Sequence, residues 1–316
     1  MTKLVAFGQD PRAFYTQNLL SESANGSSWT ELPKPTSVHN RLRSVATNGI
    51  SVVAVGEGVA ASSVDINSSW TSYTIFSGWV NLQKVIHNGT QYYAVGFHKQ
   101  WNTLVEQATV FVTDDGEDSS VWIQQYQDPN LYSGLTDIAS LGGTRLVAVG
   151  YQNGMADPLI MFSSDGLFWQ SIPVAAALQG PLFSVSYNSS TNRIWIGGQG
   201  WIATGIWNGA NTSYVVSANL LNNGKARSIT AIANRGSEAV AVGANTVWYS
   251  TNSTDWSRLS QDGYTFVSVY SYQNKWYLGT TSTMNRYTAF VLSGVSGTAA
   301  LTGLNCLVQP TSWIEV

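Results

Sequence analysis

A short apolar segment that ends in glycine recurs seven times along the 316-residue chain. The copies are LVAFG (to Gly8), VVAVG (Gly56), YYAVG (Gly96), LVAVG (Gly150), IWIGG (Gly198), AVAVG (Gly243) and KWYLG (Gly279). Successive glycines lie 48, 40, 54, 48, 45 and 36 residues apart. This period is typical of a chain built from four-stranded units that repeat about every 40 to 50 residues.

Two further signals accompany the glycine in most units. Before it come an apolar residue, a spacer, usually a polar residue, and then Val or Ile, as in LRSV (42–45), LQKV (82–85), LTDI (135–138), LFSV (182–185), ARSI (226–229) and FVSV (266–269). After it come a strand, a polar turn and an aromatic residue, as in MFSSDGLFW (161–169). Dipeptides such as Asn48-Gly49 suit the tight hairpins between strands because they tolerate positive φ. Each unit is therefore predicted to be four antiparallel strands.

Seven such units predict an all-β chain that folds as one seven-bladed β-propeller of four-stranded antiparallel blades. One blade buries too little apolar surface alone, whereas radial stacking covers both faces of each sheet. The predicted blades are residues 1–35 plus 311–316, 41–76, 80–126, 134–173, 180–218, 225–260 and 264–310.

The hexapeptide TSWIEV (311–316) has two competing registers. If the hexapeptide were an outer strand, its aromatic residue Trp313 would follow Gly279 by 34 residues. In the other units the glycine and the outer-strand aromatic residue are only 13 to 26 residues apart. As an innermost strand it fits, because the spacing from the glycine to the first residue of the next innermost strand is 23 to 39 residues elsewhere. We therefore predict that its last four residues pair beside residues 3–8 and close the ring in blade 1, and that residues 298–308 form the outer strand of blade 7.

The turn SSDGLFW (163–169) resembles the Asp-box (BNR-type) repeat of sialidases, sortilin-like receptors and photosystem II assembly factors of the Ycf48 type. The family pattern is roughly Ser-x-Asp-x-Gly-x-x-Trp, which Ser163, Asp165, Gly166 and Trp169 match with one spacer residue missing. The resemblance implies a structural turn, in which the carboxylate accepts backbone N–H bonds and the Trp packs beneath. Tandem blades of this kind in a Ser-, Thr- and Asn-rich chain also resemble bacteriophage tail and capsid-surface proteins.

Composition narrows the class of partner. Charged residues make up 10% of the chain and the net charge is −3, with Lys and Arg scattered singly, so nucleic acid and anionic membranes are disfavoured. Cys306 is the only cysteine, which excludes internal disulfides and a cysteine metal cage. No apolar run suits a signal peptide or a transmembrane helix. We therefore expect no membrane insertion, and either a cytoplasmic protein or one packaged in a virus particle.

Catalytic and metal sites are predicted to be absent, and no cofactor is expected. Asp137 and Glu315 are the only carboxylates at the polar position of the innermost strands. A catalytic pair of the glycosidase type is conceivable there, but solvated carboxylates near the axis are the favoured interpretation. The acidic segment TDDGEDSS (113–120) lacks the alternating spacing of a calcium loop and is interpreted as a hairpin tip. The three histidines are too scattered to suggest a zinc site: His39, His87 and His98.

Long loops after the second strands indicate a binding face. The loops 96–109, 150–159 and 279–288 are longer than their counterparts in other units, and they are expected to share a face with connections such as 126–134 and 76–80. Aromatic residues and arginine are preferred anchors at interfaces, and aromatic platforms also stack on sugars. The predicted binding residues on this face are Trp79, His98, Lys99, Trp101, Tyr132, Tyr151 and Arg286.

These observations predict a non-enzymatic structural protein of a bacteriophage virion. A tail adaptor, nozzle or fibre-base component, or a capsid decoration, would use the propeller as a rigid platform for host attachment or protein binding. The expected partners are other virion proteins and a host-surface glycan, and multiple copies per particle would add weak contacts through avidity. The alternative is a glycan-active propeller, either a lectin or a sialidase-like glycoside hydrolase. A photosystem II assembly factor is disfavoured because no targeting segment is seen.

Overall fold

The computed structural model describes residues 2–9, 18–33, 42–75, 79–99, 105–114, 122–174, 178–207, 215–220, 228–252, 255–281, 289–293, 299–304 and 309–316. Within these ranges every regular element is a β-strand and none is a helix. The strands form six sheets whose first strands surround one central cavity, which is the arrangement of a β-propeller.

Five of the sheets have four strands each, and their members follow in spatial order. The first contains β26 (Gln309–Glu315), β1 (Leu4–Gln9), β2 (Asn18–Ser23) and β3 (Thr30–Leu32). The second contains β4 (Leu42–Thr47), β5 (Val52–Gly56), β6 (Val59–Ser63) and β7 (Thr71–Thr74). The third contains β8 (Trp79–His87), β9 (Tyr92–Lys99), β10 (Glu106–Thr113) and β11 (Ile123–Gln127). The fourth contains β12 (Gly134–Ser140), β13 (Leu146–Gln152), β14 (Asp157–Ser163) and β15 (Gln170–Ser171). The fifth contains β16 (Leu182–Asn188), β17 (Arg193–Gly198), β18 (Trp201–Ile206) and β19 (Val215–Leu220).

The sixth sheet corrects the prediction of seven separate blades in a closed ring, which is wrong. The structure has five four-stranded blades and one continuous six-stranded sheet. That sheet consists of β20 (Ile229–Arg235), β21 (Glu238–Ser250), β22 (Ser257–Tyr272), β23 (Lys275–Thr280), β24 (Ala289–Ser293) and β25 (Ala300–Leu304). The reason is that β21 and β22 are long strands, and β22 runs through the predicted boundary between residues 260 and 264. Their ladder steps from Thr246↔Ser260 to Ala244↔Thr265, so β22 passes on to pair with β23 without leaving the sheet.

The hexapeptide at 311–316 lies in the strand that pairs with β1. In the antiparallel ladder Val5 is opposite Ile314 and Ala6 is opposite Trp313. Beyond the strand, Lys3 N donates to Val316 O at 2.7 Å and Val316 N donates back to Lys3 O at 3.0 Å. The first sheet therefore takes its innermost strand from residues at least 300 positions away from its second strand.

The recurring glycines have a steric cause in this architecture. A Cβ atom added to Gly150 would overlap the carbonyl oxygen of Gly134, and one added to Gly96 would overlap that of Asn81. The same holds for Gly8 against Gln309 O. In each case the obstructing carbonyl belongs to a residue of the first strand in the same sheet. Glycine at this position of the second strand therefore lets the first strand approach closely.

Apolar side chains fill the space between neighbouring sheets. One cluster joins Val147 of β13 and Phe162 of β14 to Leu182, Val185 and Trp201 of the next sheet. Comparable clusters lie between the other sheets. Because a single blade lacks a core of its own, this packing stabilises the sheets only as a set.

The turn after β14 has the geometry that its sequence predicts. Asp165 Oδ1 accepts hydrogen bonds of 2.9 Å from both Leu167 N and Phe168 N. Trp169 packs against the apolar cluster between the third and fourth sheets. In the turn after β2, Asn25 Oδ1 accepts the equivalent bonds from Ser27 N and Ser28 N at 2.9 and 3.0 Å. An amide therefore replaces the carboxylate in a unit whose sequence has diverged.

Candidate functional site

The central cavity has a volume of about 1050 Å³. Its walls are residues of β4, β8, β12, β16, β20, β22 and β26. Ligand pockets in proteins are commonly about 300–1000 Å³, so this space can hold a small molecule.

A β-bulge interrupts every strand that lines the cavity. Each of these strands skips one residue in its pairing with the next strand, and β-bulges are known to redirect a side chain. The skipped residues are Arg43, Gln83, Thr136, Phe183, Thr230, Val267 and Thr311. All seven line the cavity and are partly buried, whereas the residue before each of them is buried. We call these seven residues the bulge ring.

The residues that follow the bulges join neighbouring first strands. Ser312 Oγ accepts a hydrogen bond of 3.3 Å from Val45 N. Ser44 Oγ accepts one of 3.2 Å from Val85 N. Ser184 Oγ donates at 3.3 Å to the carbonyl of Ile229. These side chains therefore bridge backbones that no ladder connects, and they hold the bulge ring in place.

Asp137 also bridges two neighbouring first strands, and it does so through its carboxylate. Its Oδ2 accepts a hydrogen bond of 2.9 Å from Val185 N, and its Oδ1 accepts one of 2.9 Å from Ile138 N. Burial raises the pKa of the Asp137 carboxyl, while the positive charge of Lys84 and the two N–H donors act in the opposite direction. Both carboxylate oxygens are engaged with backbone, which suits a structural acceptor.

Glu315 is the second carboxylate in the cavity wall that sequence analysis identified. It follows Ile314 on β26, whereas Asp137 lies on β12, and β4 and β8 lie between these two strands around the cavity. Burial raises the pKa of the Tyr270 hydroxyl, and the charge of Glu315 adds to that rise. The two carboxylates therefore share the cavity and belong to first strands that are not neighbours.

The predicted binding face is described for five of its seven residues; Trp101 and Arg286 lie outside the described residues. Trp79 is opposite Lys99 in the β8–β9 ladder, and His98 is opposite Val80. Lys99 is in turn opposite Glu106 in the β9–β10 ladder. These pairings bring the ends of β8, β9 and β10 together on one edge of the third sheet.

Glu106 connects this edge to the fourth sheet. Its Oε2 accepts a hydrogen bond of 2.8 Å from the Tyr151 hydroxyl, and its carbonyl accepts one of 3.1 Å from Ser133 N, next to Tyr132. Sequence analysis missed Glu106, because a single glutamate at no repeated position carries no signal. The structure therefore places Lys99, Tyr151 and the loop that contains Tyr132 next to Glu106, which the sequence did not indicate, and it places Trp79 and His98 on the neighbouring strands.

The five residues differ in exposure. Trp79 is 61% exposed and Tyr132 is 48% exposed, whereas Tyr151 is buried. Burial and the bond to Glu106 raise the pKa of the Tyr151 hydroxyl, so it remains a donor. Burial also lowers the pKa of the His98 imidazole. Tyr151 therefore supports the surface from below, His98 is partly buried, and Trp79 and Tyr132 are exposed to solvent.

Two connected loops extend the exposed surface. Gly154 N donates a hydrogen bond of 2.9 Å to Tyr132 O, which brings the loop before β14 against the loop before β12. Leu131 and Met155, which flank these two positions, are both exposed. Tyr132 has φ of 63° and Met155 has φ of 73°, a conformation that bulky residues seldom adopt. We call Trp79, Lys99, Leu131, Tyr132 and Met155 the aromatic edge.

Other sites considered in the sequence are not assembled in the part of the chain that the structure describes. There, no group of three or more His, Cys, Asp or Glu side chains is arranged to hold a metal ion. Of the acidic segment 113–120 only the first two residues are described, and Asp114 accepts a hydrogen bond of 2.7 Å from Gln91. The same ranges contain no helix with the length and hydropathy to cross a membrane.

No protein-family model matches the sequence, and no curated protein matches it. Solved structures do match. A protein from Lactobacillus plantarum aligns over 100% of both chains with a TM-score of 0.68 and 11% identity. YCF48 from Cyanidioschyzon merolae aligns over 89% of this chain and 93% of its own, with a TM-score of 0.59 and 14% identity. YjhT aligns over 86% of this chain and 99% of its own, with a TM-score of 0.60 and 8% identity. At these identities the likeness shows the β-propeller fold alone.

Proposed function

We propose that this β-propeller is a non-enzymatic structural protein of a bacteriophage virion, in which it binds a partner through the aromatic edge. A tail adaptor, nozzle or fibre-base component and a capsid decoration are the roles that suit a rigid β-propeller platform. The observation that carries the proposal is the aromatic edge itself, where Trp79 and Tyr132 are exposed on a firmly held backbone.

Rigidity supports the binding role of this edge. Tyr132 and Met155 adopt positive φ angles that persist only when the surrounding structure imposes them. The Tyr151–Glu106 hydrogen bond lies beneath the same loops and links two sheets. A preorganised aromatic surface loses little conformational entropy on binding, and aromatic residues are frequent among the residues that dominate interface energies.

The surface composition supports a virion role over an enzymatic one. Only 10% of the residues are charged, so Ser, Thr, Asn, Gln and Gly must cover much of the exterior. In the cavity, both oxygens of Asp137 accept backbone N–H bonds, which leaves it poorly placed to transfer protons. We also propose an Asp-box relationship for the turn at Asp165, on the basis of its hydrogen bonds to Leu167 N and Phe168 N.

Mass spectrometry of purified phage particles from the host strain tests the virion role. We expect the chain in several copies per particle. Its absence from intact particles, while it is abundant in the infected-cell lysate, would overturn the proposal.

Substitutions in the same phage test the binding surface. Trp79→Ala and Tyr132→Ala are expected to reduce incorporation or host adsorption. Phe168→Ala is the matched control, because Phe168 is 79% exposed and lies in the turn after β14, outside the aromatic edge. If all three variants behave like the wild type, the aromatic edge is not the binding surface.

A further inference from the structure

We propose that the central cavity is a binding site for a small, neutral, polyhydroxylated ligand, namely a mono- or disaccharide unit. The bulge ring carries this inference. The binding itself is argued from the cavity alone. The source of the sugar, a host-surface glycan, rests on the proposed function.

Four of the seven side chains in the bulge ring are polar and uncharged, so they can form hydrogen bonds with a neutral ligand. Three of the seven are threonines and one is a glutamine, and Gln309 and Thr281 also line the cavity. Gln83 Nε2 donates to Asn81 Oδ1 at 2.8 Å, which orients its amide group. The threonine hydroxyls donate to backbone carbonyls, Thr136 to Leu182 O at 2.8 Å and Thr230 to Phe266 O at 2.6 Å, so they can only accept hydrogen bonds from a ligand. The amide of Gln83 can therefore both donate and accept, and the threonine hydroxyls can accept, which suits the hydroxyl groups of a sugar.

Phe183 adds an apolar surface at the same level of the cavity. It is the skipped residue of β16 and is only partly buried, although the residues on both sides of it are buried. An aromatic side chain that a bulge turns away from the core is unfavourable unless something covers it. The C–H face of a sugar ring is a suitable cover, because it is apolar while the ring's edges carry hydroxyls.

The charges of the cavity favour a neutral ligand. Arg43 and Lys84 are positive, and Asp137 and Glu315 are negative, so the lining is balanced overall. Arg43 donates to Glu57 Oε1 at 2.6 Å and the charge of Lys84 acts on Asp137, so each positive group already has a carboxylate near it. The remaining titratable groups of the lining are His87, Tyr187 and Tyr270. An anion or a cation would therefore find its attraction largely cancelled, whereas a hydroxyl-rich molecule would not.

Titration of the purified full chain with glucose, galactose and N-acetylglucosamine, followed by saturation-transfer NMR and calorimetry, tests this site. We expect at least one of the three sugars to bind saturably with a millimolar dissociation constant. Gln83→Ala and Phe183→Ala should each weaken binding about tenfold, as expected for loss of one hydrogen bond or one stacking surface. Thermal unfolding of each variant verifies that it is folded.

Trp79→Ala and Phe168→Ala are the controls, and both should bind the sugar as the wild type does. Absence of binding by all three sugars would overturn the proposal. So would binding that Trp79→Ala abolishes and Gln83→Ala leaves intact, because the sugar would then occupy the aromatic edge. Binding in the cavity by a chain that is missing from phage particles would support the site and reject the virion role, so the two proposals fail separately.

Discussion

The indole Nε1 of Trp313 donates a hydrogen bond of 2.9 Å to Ser268 Oγ, which joins β26 to β22. The same hydroxyl donates at 2.6 Å to the carbonyl of Pro310. On the other side of β26, Ser312 Oγ accepts a bond from Val45 N at 3.3 Å. The C-terminal strand is therefore attached to three sheets: the one it pairs into and both of its neighbours.

Removal of residues 311–316 is expected to destabilise the whole fold. The truncation exposes Val5 and Phe7, which are buried, and leaves the backbone of β1 unpaired along its inner edge. Urea unfolding followed by tryptophan fluorescence should show a lower midpoint or no cooperative transition. Trp313→Phe, which removes only the N–H donor and part of the ring, should cost about 1–2 kcal/mol. An unchanged midpoint after truncation would contradict this role for the strand.

Gly150→Ala should be strongly destabilising. Its Cβ would overlap the carbonyl oxygen of Gly134, and a backbone obstruction cannot be relieved by a side-chain rotation, so we expect a loss of about 3 kcal/mol or more. Gly143→Ala separates this steric effect from the effect of φ. Gly143 has φ of 59° and open space around its Cβ position, so only the left-handed conformation should cost energy, about 1 kcal/mol. Equal unfolding free energies for the two variants would refute the steric explanation.

Asp137→Asn should change how stability depends on pH. Because burial raises the folded-state pKa of Asp137, the folded protein holds that proton more tightly than the unfolded chain does. The free energy of unfolding of the wild type therefore falls as pH rises from the unfolded-state pKa through the raised value. The asparagine variant lacks this component. Urea titrations from acid to neutral pH should show the wild type losing stability relative to the variant, and a pH-independent difference would argue against a raised pKa.

The turn at Asp165 should tolerate asparagine but not alanine. Hydrogen bonds from Phe168 N and Leu167 N lower the pKa of the Asp165 carboxyl, so the ionised form is the favoured acceptor. An asparagine retains an acceptor oxygen, as Asn25 does in the turn after β2. Asp165→Ala leaves the two N–H groups to solvent, and we expect it to lower the melting temperature clearly more than Asp165→Asn. The opposite order would show that these bonds do not stabilise the turn.

Much of the fold could be predicted because its signals are local. Hairpin dipeptides such as Asn48-Gly49, alternation in the strands and the terminal glycines each reflect interactions within one unit. The continuity of β22 between two parts of the sixth sheet could not be predicted, since the polar segment SQDG (260–263) indicates a turn between two short strands. The prediction of seven blades depended on a break between two strands at this point.

The residues of the candidate sites also fall into two groups: those that the sequence identified and those that only the structure revealed. Sequence analysis identified Trp79 and Tyr132 from loop length, and it placed Asp137 on an innermost strand. It could not find Glu106, whose partners Tyr151 and Ser133 lie on the next sheet. Nor could it find the bulge ring, because a bulge appears only when two strands are aligned.

The sequence by itself determined that the chain is a repeated set of short strands, where its turns lie, and that glycine recurs once in the second strand of each unit. Those properties depend on backbone conformation and on contacts over a few residues. The tertiary structure alone decided how the sheets join, which residues face the central cavity, and which loops meet at the aromatic edge. These features depend on contacts such as that between Val45 and Ser312. These two residues are 267 positions apart, and no local sequence pattern predicts a contact between them.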